Sequence, residues 1–260
     1  MLNYKIHKID DTKPWVTLVH GAGGSSAIWY KQIKAFSRHY NVLLIDLRGH
    51  GESKNIILKN FKKKYTFQAV SQDVIDVLDY EKIQKSHFAG VSLGTIIIRQ
   101  IAEDHPHRVE SMIMCGAIMK LNIKSRVLMK IGIIFKSLLP YIVLYRFFAF
   151  IILPKKNHKN SRNLFIREAQ KLYRKEFLRW FKLTAEINPL LRLFRSIEIP
   201  IPTLYLMGEE DHIFLPTIKQ LVKNNNVYSK LVVVQDCGHV VNVEKPKEFN
   251  STVIKFIDSF

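Results

Sequence analysis

The stretch GVSLG, residues 90–94, places a serine between two glycines at a spacing that supports nucleophilic chemistry. A serine raised on a tight turn between a strand and a helix has a strained backbone. The residues two positions away on either side must then be as small as glycine. The run HFAGV is typical of a buried strand, and the apolar stretch from Leu93 to Glu103 is typical of a helix. The pattern therefore predicts a serine nucleophile at Ser92.

A serine hydroxyl needs a base to remove its proton, and the base needs a third group that fixes its tautomer. The candidates are His239, in DCGHVVNVEKP, and Asp211, in GEEDHIFLP. Each of the two follows a predicted strand, so we expect both to meet Ser92 at the carboxyl edge of one sheet. Glu209 and Glu210 are alternative acids, although Asp211 has the better placement after its strand.

Acyl transfer also needs hydrogen-bond donors for the negative oxygen of its transition state. The N–H of Leu93, at the start of the predicted helix, can supply one donor. The loop HGAGG, residues 20–24, also follows a predicted strand and can supply a second donor, the N–H of Ala22. This loop lacks the G-x-G-x-x-G order of a dinucleotide site, which disfavours that alternative.

Short apolar runs alternate with helical patterns along the chain, which is typical of a parallel sheet covered by helices on both faces. Six runs predict strands: VTLVH, VLLID, HFAGV, VESMIMC, TLYLMG and KLVVV. The N-terminal LNYKIHKI predicts an additional antiparallel edge strand. Helices are predicted over residues 26–38, 66–80 and 93–103, and a last helix begins at Pro246.

Length and composition indicate one domain with a full core and an inserted subdomain, since the chain has 260 residues and is 47% hydrophobic. The N-terminus lacks the unbroken apolar run of a signal peptide, so we expect a cytoplasmic protein. Cys115 and Cys237 are too few for a disulfide framework and lack zinc-ligand spacing. We therefore expect reduced thiols, no metal and no organic cofactor.

The positive charge is concentrated in one segment. The chain carries 40 Lys and Arg against 22 Asp and Glu, and residues 117–196 hold 18 of these bases with only 3 acids. The same segment contains the most apolar run of the chain, Ile131 to Leu153. Lys136, Pro140 and Arg146 interrupt this run, which disfavours a membrane-spanning helix.

Taken together, the motifs resemble those of the α/β-hydrolase superfamily over nearly the full chain. The matching stretches are HGAGGSS at 20–26, DLRGHGES at 46–53, GVSLG at 90–94, GEEDHIFLP at 208–216 and CGHVVNVEKP at 237–246. The resemblance implies an α/β fold with a mostly parallel sheet of seven or eight strands flanked by helices. Residues 1–116 and 197–260 would form the hydrolase core, and residues 117–196 would form a helical cap that shapes the substrate pocket.

The resemblance also implies a role for each candidate residue. Ser92 would be the nucleophile, His239 the general base and Asp211 the acid that orients it, with the amides of Ala22 and Leu93 as the oxyanion hole. A serine nucleophile favours hydrolysis of an ester or thioester, and the apolar cap favours a hydrophobic acyl group. Two alternatives stay open: a C–C hydrolase or lyase acting on an anionic metabolite, and a non-catalytic ligand-binding or peripheral membrane protein of the same fold.

The stretch FIREAQKLYRKEFLRWFKL, residues 165–183, predicts a basic amphipathic helix. Such a helix can lie on an anionic lipid surface, although a solvated basic face explains the pattern equally well. Its aromatic residues lie at helix-packing spacing and the sequence contains no recognised nucleic-acid-binding module, so we expect no nucleic acid partner. The pattern favours no particular oligomeric state.

Overall fold

The computed structural model describes residues 1–55, 65–136, 138–185, 187–224 and 227–260. Within these ranges, seven strands form one sheet in the order β1-β3-β2-β4-β5-β6-β7. They span Asn3–His7, Trp15–Val19, Asn41–Asp46, Ser86–Val91, Val109–Cys115, Thr203–Gly208 and Ser229–Val234. Strands β2 to β7 are parallel, and β1 pairs antiparallel with β3. The predicted α/β fold and the antiparallel edge strand are confirmed.

The central strands are apolar on both faces because helices cover both sides of the sheet. Every residue of β3, β4 and β6 is buried. Successive side chains alternate between two cores, so that on β3 Leu43 lies in one core and Leu44 in the other. This is the burial expected for parallel strands between two helical layers.

Six helices of the described chain belong to the sheet layers. Four lie close to their predicted positions, and the two over Leu215–Asn224 and Val241–Glu244 were not predicted. The six span Tyr30–Phe36 (α1), Phe67–Tyr80 (α2), Leu93–Asp104 (α3), Leu215–Asn224 (α9), Val241–Glu244 (α10) and Pro246–Ile257 (α11). The helix predicted from residue 26 begins as a 3-10 turn over Ser26–Trp29. Helices α1 and α11 pack on one face of the sheet, where the rings of Trp29 and Phe249 are 5.9 Å apart. Helices α2 and α3 contribute to the core on the other face.

Between β5 and β6 the described chain forms five further helices. They span Ile123–Phe135 (α4), Tyr141–Ile152 (α5), Lys159–Ala169 (α6), Arg174–Ala185 (α7) and Ile187–Ser196 (α8). We call residues 117–196 the helical insertion. Its polar contacts with the sheet edge include two hydrogen bonds to backbone carbonyls: the Tyr145 hydroxyl donates to Ala22, and the Trp180 indole N–H donates to Arg48.

The most apolar run of the chain is divided between two helices. Helix α4 ends at Phe135, and α5 begins after Pro140, whose φ of −54° suits the residue before a helix. Of the helices in the described ranges, none is long and apolar enough to cross a membrane.

The single amphipathic helix predicted over residues 165–183 is wrong. Helix α6 ends at Ala169 and α7 begins at Arg174. The apolar residues of α7 are packed inward, since Phe177, Trp180 and Phe181 are each less than 10% exposed. The basic residues of this region form a solvated face, and its apolar side is not available to a lipid surface.

Candidate active site

Ser92 lies on the tight turn between β4 and α3. Its φ of +54° is in the left-handed region, which is rare for a residue with a side chain and indicates a strained turn. A Cβ on Gly90 would lie 2.7 Å from the carbonyl of Gly94, and a Cβ on Gly94 would collide with the carbonyl of Val19. Both glycines are therefore required by close backbone contacts, as the spacing predicts.

Ser92, His239 and Asp211 come together at the carboxyl edge of the sheet. The Ser92 Oγ lies 2.9 Å from Nε2 of His239, and Nδ1 of His239 lies 2.7 Å from Oδ2 of Asp211. A carboxylate accepts from Nδ1–H, so this tautomer leaves Nε2 free to accept the serine proton. The side chains of His239 and Asp211 are buried, and Oδ1 of Asp211 accepts from the Phe214 N–H at 3.1 Å. These contacts fix the ring and the carboxylate in place.

The neighbouring acids are engaged elsewhere or exposed. Glu210 accepts from Lys155, Asn157 and His158, all on the helical insertion. The hydrogen bonds from Lys155 and Asn157 lower the pKa of Glu210 to about 2. This carboxylate is therefore charged and already bound to residues of the insertion. Glu209 is exposed. Of the three neighbouring acids, Asp211 is the one that is hydrogen-bonded to His239.

His158 ties the helical insertion to both loops of this edge, a role that the sequence did not reveal. Its buried Nε2 lies 2.7 Å from Oε2 of Glu210, next to Asp211, and 3.6 Å from Oε2 of Glu244. Glu244 in turn accepts from the N–H of Gly238, beside His239, at 2.8 Å. One histidine of the insertion thus helps to hold the two loops that carry Asp211 and His239.

The predicted oxyanion donors flank Ser92. Leu93 is the first residue of α3, so its N–H has no carbonyl partner within the helix. The loop that carries Ala22 lies directly against this turn, because a Cβ on Gly21 would be 3.1 Å from the Ser92 Cβ. Ala22 and Leu93 both line the cavity that Ser92 borders.

The peptide between Ala22 and Gly23 is held at both ends. Tyr145 of the insertion donates its hydroxyl to the Ala22 carbonyl at 2.7 Å, and the Gly23 N–H donates to Nε2 of His50 at 3.0 Å. Gly23 has a φ of +71°, and a Cβ at this position would collide with the Tyr145 ring. The loop over residues 20–24 is therefore held between the insertion and the sheet edge. Helical periodicity could not reveal this contact, since Tyr145 and Ala22 are 123 residues apart.

Two buried histidines set the shape of this loop. His50 Nδ1 lies 2.9 Å from the Arg48 carbonyl, which fixes the tautomer that accepts from Gly23. Burial, with a smaller contribution from neighbouring His20, lowers the pKa of His50 to about 3, so the ring is neutral at neutral pH. His20 bonds to the carbonyl of Gly21 and accepts from the N–H of Leu47. Both rings thus bind backbone groups of the loop and its neighbours.

An apolar cavity of about 190 Å³ adjoins Ser92. Most of its wall comes from the insertion, including Leu128, Met129, Tyr145, Phe148, Trp180 and Phe181. Among the described residues that line it, none is Asp, Glu, Lys or Arg. The cavity suits an uncharged hydrophobic group.

Neither cysteine offers an alternative nucleophile. Cys115 and Cys237 are both buried and unpaired. Burial raises the pKa of the Cys115 thiol to about 12 and also raises that of Cys237, so both stay protonated at neutral pH. In the part of the chain that the structure describes, no group of His, Cys, Asp and Glu is arranged to hold a metal ion.

Comparisons with known proteins agree with this architecture. A family model for the alpha/beta hydrolase fold matches residues 14–134. The chain is 23% identical to the "Putative carbamate hydrolase RutD" of Agrobacterium fabrum, over 98% of each chain. It is 24% identical to 3-oxoadipate enol-lactonase 1 of Acinetobacter baylyi, over 96% of this chain and 90% of the relative.

A solved structure gives the same result for the fold. A hydrolase from Oleispira antarctica superposes with a TM-score of 0.86 at 17% identity, covering 100% of this chain and 95% of that one. The seven-stranded sheet, the helices on both of its faces and the family match agree with one another. The chain therefore has the α/β-hydrolase fold.

Proposed function

We propose that the protein is a serine hydrolase that cleaves carboxylic esters, or thioesters, with a hydrophobic acyl group. The observation that carries the proposal is the hydrogen-bonded chain from Ser92 through His239 to Asp211 on the wall of an apolar cavity. A hydroxyl, an imidazole and a carboxylate in this order form the general arrangement for acyl transfer through a covalent intermediate.

In the first half of the reaction, Nε2 of His239 accepts the proton of Ser92 as the Oγ attacks the carbonyl carbon of the ester. Asp211 stabilises the imidazolium that forms and keeps the ring in position. The carbonyl oxygen becomes negative and accepts hydrogen bonds from the N–H groups of Leu93 and Ala22. The tetrahedral intermediate collapses, and His239 gives its proton to the leaving alcohol or thiol.

In the second half, water attacks the acyl group bound to Ser92. His239 accepts a proton from this water and then returns it to the Ser92 Oγ as the acid is released. The same two N–H donors stabilise the second tetrahedral intermediate. The cycle needs no group beyond the side chains and amides of the chain itself.

The helical insertion acts in this proposal as the cap that selects the acyl group. Its side chains Leu128, Phe148 and Phe181 line the cavity beside Ser92. Burial of an acyl chain there stabilises the complex by about 25 cal/mol for each Å² of apolar surface removed from water. The absence of charged side chains among the described lining residues favours an uncharged acyl chain over an anionic metabolite.

The names of two relatives are consistent with the same chemistry acting on different substrates. One relative is named for a carbamate and the other for an enol-lactone. Carbamates and lactones are also attacked at a carbonyl carbon, so the serine mechanism is common to all three substrate classes. The apolar cavity is the observation that favours a hydrophobic ester for this chain.

Hydrolysis of nitrophenyl esters of increasing acyl length tests the proposal. We expect turnover that rises from the acetate to medium or longer chains, and a loss of about 10⁴-fold or more in kcat in Ser92→Ala. A folded protein that cleaves none of these esters contradicts the proposal. That result would leave a C–C hydrolase, a lyase or a non-catalytic ligand-binding protein.

A further inference from the structure

Two adjoining helices of the insertion present apolar side chains to solvent. Exposed positions on α4 and α5 recur every three or four residues, which places them along one face of each helix. Between the two helices Leu138 is 73% exposed. We call this set the outer apolar face; it consists of Ile123, Val127, Ile133, Ile134, Leu138, Leu139, Val143, Phe147 and Phe150.

Such a surface is unusual for a helical pair packed on a protein core. The outward side of a surface helix normally carries polar residues. Single exposed apolar side chains are common, but a set that continues through two helices and the residues between them indicates a contact surface. The outer apolar face therefore points to an apolar partner.

The charge around this face indicates what the partner is. From residue 111 to residue 167 the chain has no Asp or Glu but 11 Lys and Arg. Exposed Arg126, Lys130 and Arg146 lie among the apolar residues of the face. Long basic side chains can keep their apolar stems in a lipid layer while their charged ends reach the phosphates.

A second copy of this chain fits the face poorly. Self-association through the face would bring two acid-free basic surfaces together, and like charges across an interface disfavour binding. An anionic phospholipid surface supplies both partners that the face needs, acyl chains for the apolar residues and phosphates for the bases.

The opposite sides of the same helices line the cavity. Leu128 and Met129 of α4, and Tyr145 and Phe148 of α5, border the space beside Ser92. Helices α4 and α5 thus carry apolar side chains on two sides: the inner side lines the cavity, and the outer side forms the outer apolar face. A bilayer against the outer side would bring hydrophobic molecules to the wall of the cavity.

We propose that the outer apolar face docks the protein on a bilayer that contains anionic phospholipid, with α4 and α5 lying in the headgroup region. The contact is peripheral, and amphipathic helices of this kind enter a bilayer by about 5 to 10 Å. The inference goes beyond the proposed hydrolysis and does not depend on it, since vesicle binding requires no turnover.

Vesicle flotation of the full-length protein tests the proposal. The vesicles are pure phosphatidylcholine, or phosphatidylcholine with a quarter of phosphatidylglycerol. The patch variant replaces three exposed residues of the face, Ile134→Gln, Leu138→Gln and Phe147→Gln. The matched control replaces three residues of similar exposure outside it, Tyr80→Gln, Val227→Gln and Phe260→Gln.

We expect the unmodified protein and the control variant to float with anionic vesicles, and the patch variant to bind them at least about tenfold more weakly. Binding should weaken with added salt, because the bases of the face contribute to it. Ser92→Ala should bind as the unmodified protein does, which separates this test from that of the proposed hydrolysis.

Three results would overturn the proposal. The first is equal vesicle binding by the patch and control variants, and the second is equal binding to neutral and anionic vesicles. The third is an absence of vesicle binding together with a dimer, in sedimentation velocity, that only the patch variant disrupts. That last result would identify the face as an interface between copies of the chain.

Discussion

The sheet edge around Ser92 and the helical insertion above it differ in how strictly their residues are fixed. At the sheet edge, backbone atoms leave no room for a carbon on Gly90 or Gly94, and Ser92 has a left-handed backbone. In the insertion, the cavity wall is made of large side chains that differ in shape but are mostly apolar. In the proposed function, backbone geometry thus sets the chemistry at the sheet edge, whereas side-chain volume in the insertion sets the choice of substrate. Substitutions in the two regions should therefore affect different kinetic constants.

The largest effect on kcat in this comparison is expected from substitution of Asp211, at the sheet edge. Asp211→Asn keeps the size of the side chain but removes the charge that fixes the His239 tautomer, so kcat should fall about 10⁴-fold. The control is Glu210→Gln, a change of the neighbouring carboxylate, which binds residues of the insertion. Steady-state kinetics of the two variants check this. Equal losses in both would show that the acid has been assigned to the wrong residue.

A smaller and more selective effect is expected in the insertion. Leu128 lines the cavity, whereas the preceding residue of α4, Val127, is 50% exposed. Leu128→Trp fills part of the cavity, so kcat/KM for a long-chain ester should fall about 10- to 100-fold, with little change for the acetate.

Val127→Trp provides the control, since it places the same side chain on the outer side of the same helix. It should leave the chain-length preference unchanged. The ratio of kcat/KM for long and short nitrophenyl esters measures the effect. A similar ratio in both variants would show that the acyl group does not bind in this cavity.

Loss of the hydrogen bond between Tyr145 and Ala22, which joins the two regions, should lower kcat about tenfold. Tyr145→Phe removes the hydroxyl that holds the Ala22 carbonyl, which loosens one oxyanion donor without removing it. We expect kcat to fall about tenfold and KM to change little. Tyr141, on the same helix, is not among the residues that line the cavity, and its hydroxyl donates to the Leu172 carbonyl, so Tyr141→Phe should keep full activity. A change in KM alone would indicate that Tyr145 only shapes the cavity.

The last expected effect concerns folding stability rather than kcat, through the response of His50 to pH. Its pKa is about 3 in the folded protein, against about 6.5 for a solvated histidine. Between these values the unfolded chain binds a proton that the folded protein does not. Stability should therefore fall with decreasing pH, by up to about 1.4 kcal/mol per pH unit from this group. His50→Gln, which keeps an acceptor for Gly23, should show a shallower fall.

Denaturant unfolding at pH 4, 5, 6 and 7 measures this difference. Exposed His39→Gln serves as the control and should keep the slope of the unmodified protein. If the free energy of unfolding of His50→Gln changes with pH as steeply as that of the unmodified protein, the loop over residues 20–24 does not depend on a neutral buried ring at position 50.

Much of the sheet edge could be predicted from the sequence because its signals are local. Each strand of the parallel sheet lies within one residue of its predicted start and end, since buried parallel strands are continuous apolar runs. Ser92 is fixed by glycines two residues away. His239 and Asp211 follow strands whose carboxyl ends the fold must bring together. Predicting these residues required only their order in the chain and their spacing over a few positions.

The insertion was less predictable because its structure depends on distant contacts. The helical pattern over residues 165–183 contains no Gly or Pro, yet the structure divides it, and packing of Leu172 and Phe177 into the insertion outweighs local propensity. Helical periodicity also does not say which apolar stripe faces inward. The partners of Tyr145 and His158 lie on loops far away in the chain.

Reaction with a fluorophosphonate tests the central claim most directly, because this probe forms a covalent bond with a serine that is activated by a neighbouring base. We expect one equivalent of label per chain, located at Ser92 by peptide mass spectrometry, and none in folded Ser92→Ala. Slower labelling in Asp211→Asn would show that the acid acts through His239. A folded protein that takes no label, or takes it at another residue, would contradict the account.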